Sequence, residues 1–298
     1  MKVSVPLAFI SVVIIWSTTP LAIKWSSING YFLFGVTTRM ILAGILAVLI
    51  VYLLRIPYRL DAQARIAYIA SGLGIYGAML FGYWGSLYIP SGWVSVIFGT
   101  SPVITGILAW LFLGEKLTRF RILGLLLGLL GLGIIFLQST HLTDTTILGV
   151  ALIILGVISQ TSTAVWLKKI NAQQHGLVMT TGGLWVSIPL FLLTALLFSE
   201  PVPTLQEIPL QAASAIIYLA IFGSLLGFSL YYFLIHALEA STVSLITLIT
   251  PVTALLLGMW LNNEAISTHI MIGTACILLG LISFQWGDKL RRIRTMSP

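Results

Sequence analysis

Two prolines stand in the middle of apolar stretches, and hydroxyl side chains lie beside each of them. Pro102 follows Thr100 and Ser101, and Pro251 follows Thr250. A proline inside a helix leaves a backbone carbonyl without its hydrogen-bond donor, and in apolar surroundings that carbonyl needs another partner. The hydroxyls can supply it, or they can bind a polar solute. The pattern therefore predicts either two static kinks or two broken helices beside a polar site.

Further polar and aromatic side chains lie deep in other apolar stretches. Ser and Thr commonly join helices inside membranes, and Trp and Tyr commonly form belts at membrane interfaces, so each residue has a structural interpretation beside a binding one. Aromatic walls would suit solutes with apolar or aromatic parts. Our candidates for a central solute site are Trp16, Thr19, Tyr76, Tyr83, Ser101, Pro102, Gln160, Phe228, Tyr232, Thr250 and Pro251.

Arg39 is the charge that is most costly to place. It lies about seven residues inside its apolar stretch, or roughly 10 Å deep at 1.5 Å per helical residue. A charge at that depth usually faces the protein interior and has a partner. Because the apolar stretches contain no Asp or Glu, the partner must be a hydroxyl, a carbonyl, water, a carboxylate at a helix end or an anionic solute. We expect a structural role.

The sequence offers little for catalysis. Cys276 is the single cysteine, which leaves no disulfide or cysteine metal site. The four histidines fall in loops or at the ends of apolar stretches, which disfavours dedicated proton coupling, and a phosphate-binding loop for ATP is absent. Gly223-Ser224 with His236 is the only hint of a hydrolase, but twelve helical residues separate them by about 18 Å. We expect no enzyme, no metal and no cofactor.

The composition is that of an integral membrane protein. Apolar residues make up 58% of the 298 residues and charged residues only 8%, against about 25% in soluble domains, and the mean hydropathy is +1.06. Spans of roughly 20 residues fit the chain ten times. The predicted spans are 4–24, 32–54, 66–88, 92–113, 120–138, 146–167, 177–198, 212–235, 241–261 and 269–287.

The basic residues predict the orientation of these spans. Thirteen of the 15 Lys and Arg fall on alternate connections or at the termini, and the other two, Lys24 and Arg39, lie within spans. The positive-inside rule then places both termini in the cytoplasm, and we expect a multi-pass protein of the inner membrane. Topology explains the net charge of +7, with some attraction to anionic lipid, so nucleic acid is not an expected partner.

The chain contains an internal repeat. Residues Val94–Leu132 align without a gap with Val243–Leu281 at an offset of 149 residues. Five spans fit each copy, and an odd number of spans turns the second copy upside down in the membrane. The sequence thus predicts an all-α membrane protein with two inverted five-helix repeats, 1–138 and 146–287, followed by a basic cytoplasmic tail, 288–298.

Two pairs of charges occupy equivalent positions in the repeats. Glu115 and Glu264 follow equivalent spans, and Lys24 and Lys168 end equivalent spans. The inversion puts Lys24 with Glu264 on the outer side and Lys168 with Glu115 on the inner side. Each pair could close its side of the protein as a gate. Alternatively, each Glu complements the positive end of the next helix, and each Lys extends its side chain towards water.

The repeated motif resembles that of the drug/metabolite transporter superfamily, and more narrowly of its EamA-type permeases. The first copy reads Pro102, then Leu113-Gly114-Glu115-Lys116-Leu117-Thr118, then a glycine-spaced span; in the second copy Asn262-Asn263 replace Leu-Gly. Ile15-Trp16-Ser17 and Arg39 resemble the family too, so that the likeness covers the whole chain.

The resemblance implies ten helices around a cavity that is lined mainly by the first, third and fourth helices of each half. It also implies a secondary transporter, often an exporter, of small metabolites, amino acids or drug-like molecules. The remaining alternatives are an intramembrane enzyme and a structural membrane protein. We expect a small-molecule substrate, contact with membrane lipid and a monomer.

Overall fold

The computed structural model describes residues 4–27, 31–114, 118–137, 144–170, 172, 174–237 and 246–296. The side chains of Tyr232 and of residues 285–296 are among those outside that description.

The described chain is a bundle of helices. In chain order they are α1 (Val5–Ser26), α2 (Leu33–Leu53), α3 (Ala62–Ser86), α4 (Ser91–Phe98), α5 (Ser101–Leu113), α6 (Arg119–Leu137), α7 (Asp144–Ile170), α8 (Gly176–Phe198), α9 (Leu210–Tyr218), α10 (Gly227–Ala237), α11 (Ile246–Asn262) and α12 (Thr268–Met296). A 3-10 turn, Leu205–Glu207, precedes α9, and a π-helix, Leu219–Leu226, joins α9 to α10.

Local sequence explains several helix ends. Pro6 lies in the first turn of α1, where a missing backbone N–H costs nothing, and the Asp61 side chain caps α3 by accepting from the N–H of Ala64 at 3.0 Å. Gly114 and Asn263 follow equivalent helices of the repeat and both have positive φ, +68° and +52°. Asn tolerates this left-handed conformation better than most residues, which explains how Asn263 can replace the glycine.

Seven helical stretches of the described residues are long and apolar enough to cross a membrane. One of them combines α4 and α5, and another runs through α9, the π-helix and the start of α10. Two shorter apolar helices, Ile249–Asn262 and Thr268–Phe284, accompany them. The predicted spans recur as helices where the structure describes them, although α12 continues to Met296, beyond the predicted end of its span at 287.

Two predicted spans are not continuous α-helices. The span predicted at 92–113 is divided at Gly99 and Thr100, so that Pro102 lies in the first turn of α5. A proline fits that position because the N–H groups of a first turn have no intrahelical partner. The span predicted at 212–235 contains the π-helix. The spacing of apolar residues in the sequence does not indicate this wider turn.

The helices α6 and α12, which are equivalent in the two copies of the repeat, pack with their backbones in contact. Gly124 of α6 lies against Gly280, and Gly131 lies against Gly273. Because residue numbers rise along one helix as they fall along the other, α6 and α12 run antiparallel. The repeat aligns Gly124 with Gly273 and Gly131 with Gly280. Exchanging the two helices therefore converts one glycine contact into the other, as in a two-fold symmetric contact.

The buried apolar residues form two main clusters. The larger one joins α1, α2, α3 and α8 with the π-helix and includes Met40, Tyr83 and Phe191. The other joins α4, α5, α6, α7, α11 and α12 and includes Ile153 and Ile277. The helices that carry the candidate site residues are therefore divided between the two clusters.

Candidate functional site

Glu264 caps the first turn of α4 from across the bundle. Its Oε1 accepts a hydrogen bond from the N–H of Ser91 at 3.0 Å, and its Oε2 accepts from Ser91 Oγ at 3.0 Å and from the N–H of Gly92 at 3.2 Å. Asn262 Nδ2 also donates to Oε1, at 2.9 Å. A carboxylate suits this place because the first N–H groups of a helix lack intrahelical partners and carry partial positive charge.

The last turn of α1 joins the same group. Lys24 Nζ lies 3.9 Å from Glu264 Oε1 and donates to the carbonyl of Ile89 at 3.2 Å, while Trp25 Nε1 donates to Asn262 Oδ1 at 3.2 Å. We call Lys24, Trp25, Ser91, Gly92, Asn262 and Glu264 the Glu264 cluster. It connects three elements at one end of the bundle: the end of α1, the start of α4 and the turn between α11 and α12.

The pKa of Glu264 reflects these contacts. Burial raises it, but the hydrogen bonds from Ser91, Asn262 and Gly92 together outweigh burial and hold the pKa below the ordinary value of a glutamate. The carboxylate is therefore ionised at neutral pH, as its contact with Lys24 requires.

The second predicted pair of charges is only partly described. Lys168 is exposed in the last turn of α7, whereas Glu115 lies outside the described residues. The structure thus brings together Lys24 and Glu264, and the gating role of both pairs stays a prediction.

The hydroxyls beside Pro102 bond to carbonyls in the break between α4 and α5. Thr100 Oγ1 donates to the carbonyl of Ile97 at 2.6 Å, and Ser101 Oγ donates to that of Phe98. The sequence left two uses open for these hydroxyls, bonding a backbone carbonyl or binding a polar solute. In the structure Thr100 and Ser101 bond backbone carbonyls.

Pro251 lies within α11 and packs against the same break. A methyl group on Gly99 would stand 3.0 Å from Pro251 Cγ, so the small residue lets the ring approach the backbone closely. Thr250 beside it is buried. The broken helix of one repeat and the proline of the other are therefore in contact.

The hydroxyls of α1 connect helices. Ser17 shares a hydrogen bond with Thr253 of α11, and Thr18 shares one with Tyr218 of α9. Thr19 donates to a carbonyl one turn earlier in α1, at 2.7 Å. The tract thus joins α1 to two helices from the second half of the chain, α9 and α11.

The remaining candidates on α1, α7 and α10 are partly buried. The ring of Trp16 lies 4.7 Å from that of Tyr231, centroid to centroid. Phe228 packs against the larger apolar cluster, and Gln160 is half-buried in α7. The Tyr232 side chain lies outside the described part of the chain.

Tyr76 and Tyr83, which their seven-residue spacing predicts on one face of α3, have different neighbours. Tyr76 packs edge-on against Phe191 of α8 at 5.0 Å, and its hydroxyl shares a 2.6 Å hydrogen bond with Thr194. Tyr83 is fully buried and accepts a hydrogen bond from Ser26 Oγ at 3.2 Å. Tyr76 thus joins α3 to α8, whereas Tyr83 joins α3 to α1.

Arg39 is 1% exposed and is held by hydroxyls. Its Nε donates to Ser224 Oγ at 2.9 Å, its Nη1 reaches Tyr83 OH at 3.4 Å, and its guanidinium carbon lies 5.8 Å from the Tyr83 ring centroid. Ser224 and the adjacent Gly223 belong to the π-helix, and a methyl group on Gly223 would stand 3.1 Å from Arg39 Nη2. Arg39 therefore holds α2, α3 and the π-helix together.

Sequence reasoning missed several members of these groups. Ser91 and Gly92 directly follow Pro90, a pattern typical of a helix start, but nothing in the sequence indicated that a distant glutamate caps them. The pair Asn262-Asn263 was visible only as a departure from the repeat. Gly223-Ser224 was the hint of a hydrolase in the sequence, whereas the Ser224 hydroxyl accepts a hydrogen bond from Arg39.

The model of the EamA-like transporter family matches residues 4–137 and 147–284. The chain is 24% identical to the "Uncharacterized transporter YoaV" of Bacillus subtilis over 98% of this chain and 100% of that protein. It is 26% identical to a "Probable terminal-alkyne amino-acid exporter" of Streptantibioticus cattleyicolor, over 77% of this chain and 75% of that protein.

A solved structure superposes with a TM-score of 0.65 over 98% of this chain and 99% of that chain, at 19% identity; this likeness concerns the fold. The two family matches coincide with the two halves of the repeat, and both named relatives are called transporters or exporters. The chain is a multi-pass membrane protein that belongs to the EamA-like transporter family.

Proposed function

We propose that this protein carries a small organic solute across the inner membrane by alternating access, with ten spans in two inverted halves and both termini in the cytoplasm. The observation that carries the proposal is the Glu264 cluster. Lys24 and Ser91 come from the first half and Asn262 and Glu264 from the second. A contact between halves at one end of the bundle is what a carrier needs to close one side.

The helices support the count of ten. Beside the seven long apolar stretches and the two shorter helices, α6 contributes 19 mostly apolar residues. The antiparallel contact between α6 and α12 supports the inversion, because equivalent helices of inverted halves must run in opposite directions. The side that holds the Glu264 cluster is then the outer side.

The solute site belongs between the halves, beside the break before Pro102 and its contact with Pro251. Half-buried polar and aromatic side chains such as Trp16 and Gln160 suit a solute with both polar and apolar parts. A relative named as an amino-acid exporter favours solutes of amino-acid size. We propose export rather than uptake on the same ground.

The test begins with purified protein, whose unfolding temperature is measured with amino acids, nucleosides, sugars and aromatic cations. A solute that binds the native state raises this temperature. Liposomes that contain the protein are then loaded with the unlabelled solute and given a labelled trace outside. A carrier accumulates label transiently above the equilibrium level, whereas an enzyme or a structural protein does not.

A matched pair of variants connects this transport to the proposed site. Gln160 is half-buried and Ser162, two residues further along α7, is exposed. We expect Gln160→Leu to slow counterflow and Ser162→Leu to leave it unchanged, with both variants as stable as the wild type. If solutes bind but no counterflow appears under any loading condition, the carrier proposal is wrong.

A further inference from the structure

A groove on the side of the bundle runs between the end of α2 and the start of α8. It has a volume of about 550 Å³, and Val48, Tyr52 and Arg55 line one wall while Thr181 and Trp185 line the other. Val48 precedes Arg55 by seven residues of sequence, so the groove extends about 10 Å along the helix from the arginine. The groove is separate from the Glu264 cluster, whose members lie on other elements.

The backbone of Arg55 is unusual for its residue type. The N–H of Ile56 bonds to the carbonyl of Val51 and the N–H of Arg55 to that of Tyr52, both at 3.1 Å. These two bonds form a Schellman cap, in which the residue at the position of Arg55 adopts a left-handed conformation and is usually glycine. Arg55 does so with φ of +51°, at a steric cost that glycine would avoid. An arginine at this position therefore costs conformational free energy relative to glycine.

The Arg55 guanidinium has no carboxylate within ion-pair distance among the residues that the structure describes. Nearby Arg59 differs, because its guanidinium pairs with Asp61 at 2.9 Å. Exposed aromatic side chains line the same groove as Arg55: Tyr52 is 78% exposed and Trp185 is 48% exposed. A cation with aromatic and aliphatic neighbours at a helix end is suited to the boundary between lipid headgroups and acyl chains.

We propose that this groove binds one anionic phospholipid. The phosphate of the headgroup lies on Arg55, which offers paired N–H donors to its oxygens, and one acyl chain lies along Val48 and Trp185. A free anion would leave the apolar length of the groove unfilled, and a second copy of the chain would need an acidic surface to meet Arg55. The proposal does not depend on which solute the protein carries.

The test is native mass spectrometry of the full-length protein in detergent with equal amounts of dioleoyl phosphatidylglycerol and dioleoyl phosphatidylcholine. The two lipids have the same acyl chains, so their ratio in the protein–lipid complex reports headgroup recognition. We expect one phosphatidylglycerol to bind the wild type in preference to phosphatidylcholine by about tenfold, as one charge-assisted contact provides.

The variant Arg55→Gly tests the role of the side chain without destabilising the fold. Glycine relieves the left-handed conformation, so we expect an unfolding temperature equal to or above that of the wild type together with loss of the lipid preference. Arg55→Lys should keep part of the preference because the charge remains. Arg65→Gln is the control, since Arg65 is exposed on α3 outside the groove, and it should bind lipid as the wild type does. Trp185→Ala should weaken binding of both lipids.

Four results would overturn the proposal. The first is an Arg55→Gly protein that keeps the wild-type preference. The second is an Arg65→Gln protein that loses as much preference as Arg55→Gly, because the attraction would then be diffuse. The third is displacement of the lipid by glycerol 3-phosphate alone, and the fourth is a dimer in place of the lipid complex. None of these results bears on counterflow, so the carrier proposal is tested separately.

Discussion

Gly131 and Gly273 lie backbone to backbone where α6 crosses α12. A methyl group on Gly131 would stand 2.5 Å from the carbonyl oxygen of Gly273, and a methyl group on Gly273 would stand 2.6 Å from that of Gly131. Small residues at such a crossing let two membrane helices approach closely. Since α6 and α12 are equivalent helices of the two repeats, this contact supports the proposed two-fold relation between the halves.

Gly131→Ala should therefore destabilise the protein, by roughly 1–3 kcal/mol as for other overpacked sites. Gly133 is the matched control on the same helix, because a methyl group there would have open space around it. Gly133→Ala should be neutral or slightly stabilising, since alanine favours a helix over glycine. The measurement is thermal unfolding in detergent. Equal behaviour of the two variants would mean that the crossing is looser than described.

Removing Glu264 should cost more than removing its cation. Lys24 and Glu264 are 3.9 Å apart with side chains 33% and 10% exposed, and a pair of that kind contributes about 0–1 kcal/mol. Glu264 also accepts from two backbone N–H groups and a hydroxyl at the start of α4. Glu264→Gln should therefore lower the unfolding temperature more than Lys24→Met does.

The same contacts change what a charge swap can show. A lysine at position 264 cannot accept the hydrogen bonds that Glu264 accepts, so Lys24→Glu combined with Glu264→Lys should restore transport only in part. If the swap restores it fully, the ion pair dominates and the cap is secondary. A larger loss of stability in Lys24→Met than in Glu264→Gln would contradict the assignment of the cap.

The pH dependence of the Glu264 cluster follows from the lowered pKa of Glu264. A lowered folded pKa means that the contact stabilises fully above the ordinary glutamate pKa, about 4.3, and that this stabilisation is lost as the pH falls through the lowered value. The difference in unfolding temperature between the wild type and Glu264→Gln should stay constant from about pH 8 to about pH 6 and shrink only in strong acid. A change of that difference near neutral pH would contradict the direction of the shift.

Arg39 and Ser224 should be energetically coupled. A hydrogen bond to a buried charged group contributes about 1.5–3 kcal/mol, and the Nε–Oγ distance is 2.9 Å. In a double-mutant cycle, Ser224→Ala should destabilise the wild type but have little effect in an Arg39→Met background. Equal effects in both backgrounds would mean that Ser224 is not the partner of Arg39.

The sequence predicted how deep a side chain lies in its span better than it predicted which residues that side chain contacts. Arg39 was expected to face the interior with hydroxyls among its partners, because its position in the span and the absence of carboxylates are both visible in the chain. Ser224 as the partner was not predictable, since it depends on a π-helix 180 residues further along the chain. Hydrophobic periodicity indicates a span but is insensitive to one wider turn inside it.

The repeat predicted that Lys24 and Glu264 share one side of the protein, because inversion converts equivalent positions into opposite sides. It could not predict the cap on Ser91, which depends on how the turn after α11 meets α4 in space. Tyr83 shows the same limit. Spacing places it on one helix face with Tyr76, but only packing decides that it is fully buried beside Arg39.

The most direct test of alternating access is a reversible link across the Glu264 cluster. Lys24→Cys and Glu264→Cys are combined in a Cys276→Ser background, and a short bifunctional methanethiosulfonate joins the two thiols. Counterflow of a solute found in the binding screen is then measured in liposomes before linking, after linking and after reduction. We predict that the link stops counterflow, that reduction restores it, and that each single-cysteine variant is unaffected by the reagent. Undiminished counterflow in the linked protein would contradict the account, because the two halves would not need to separate there for the solute to cross.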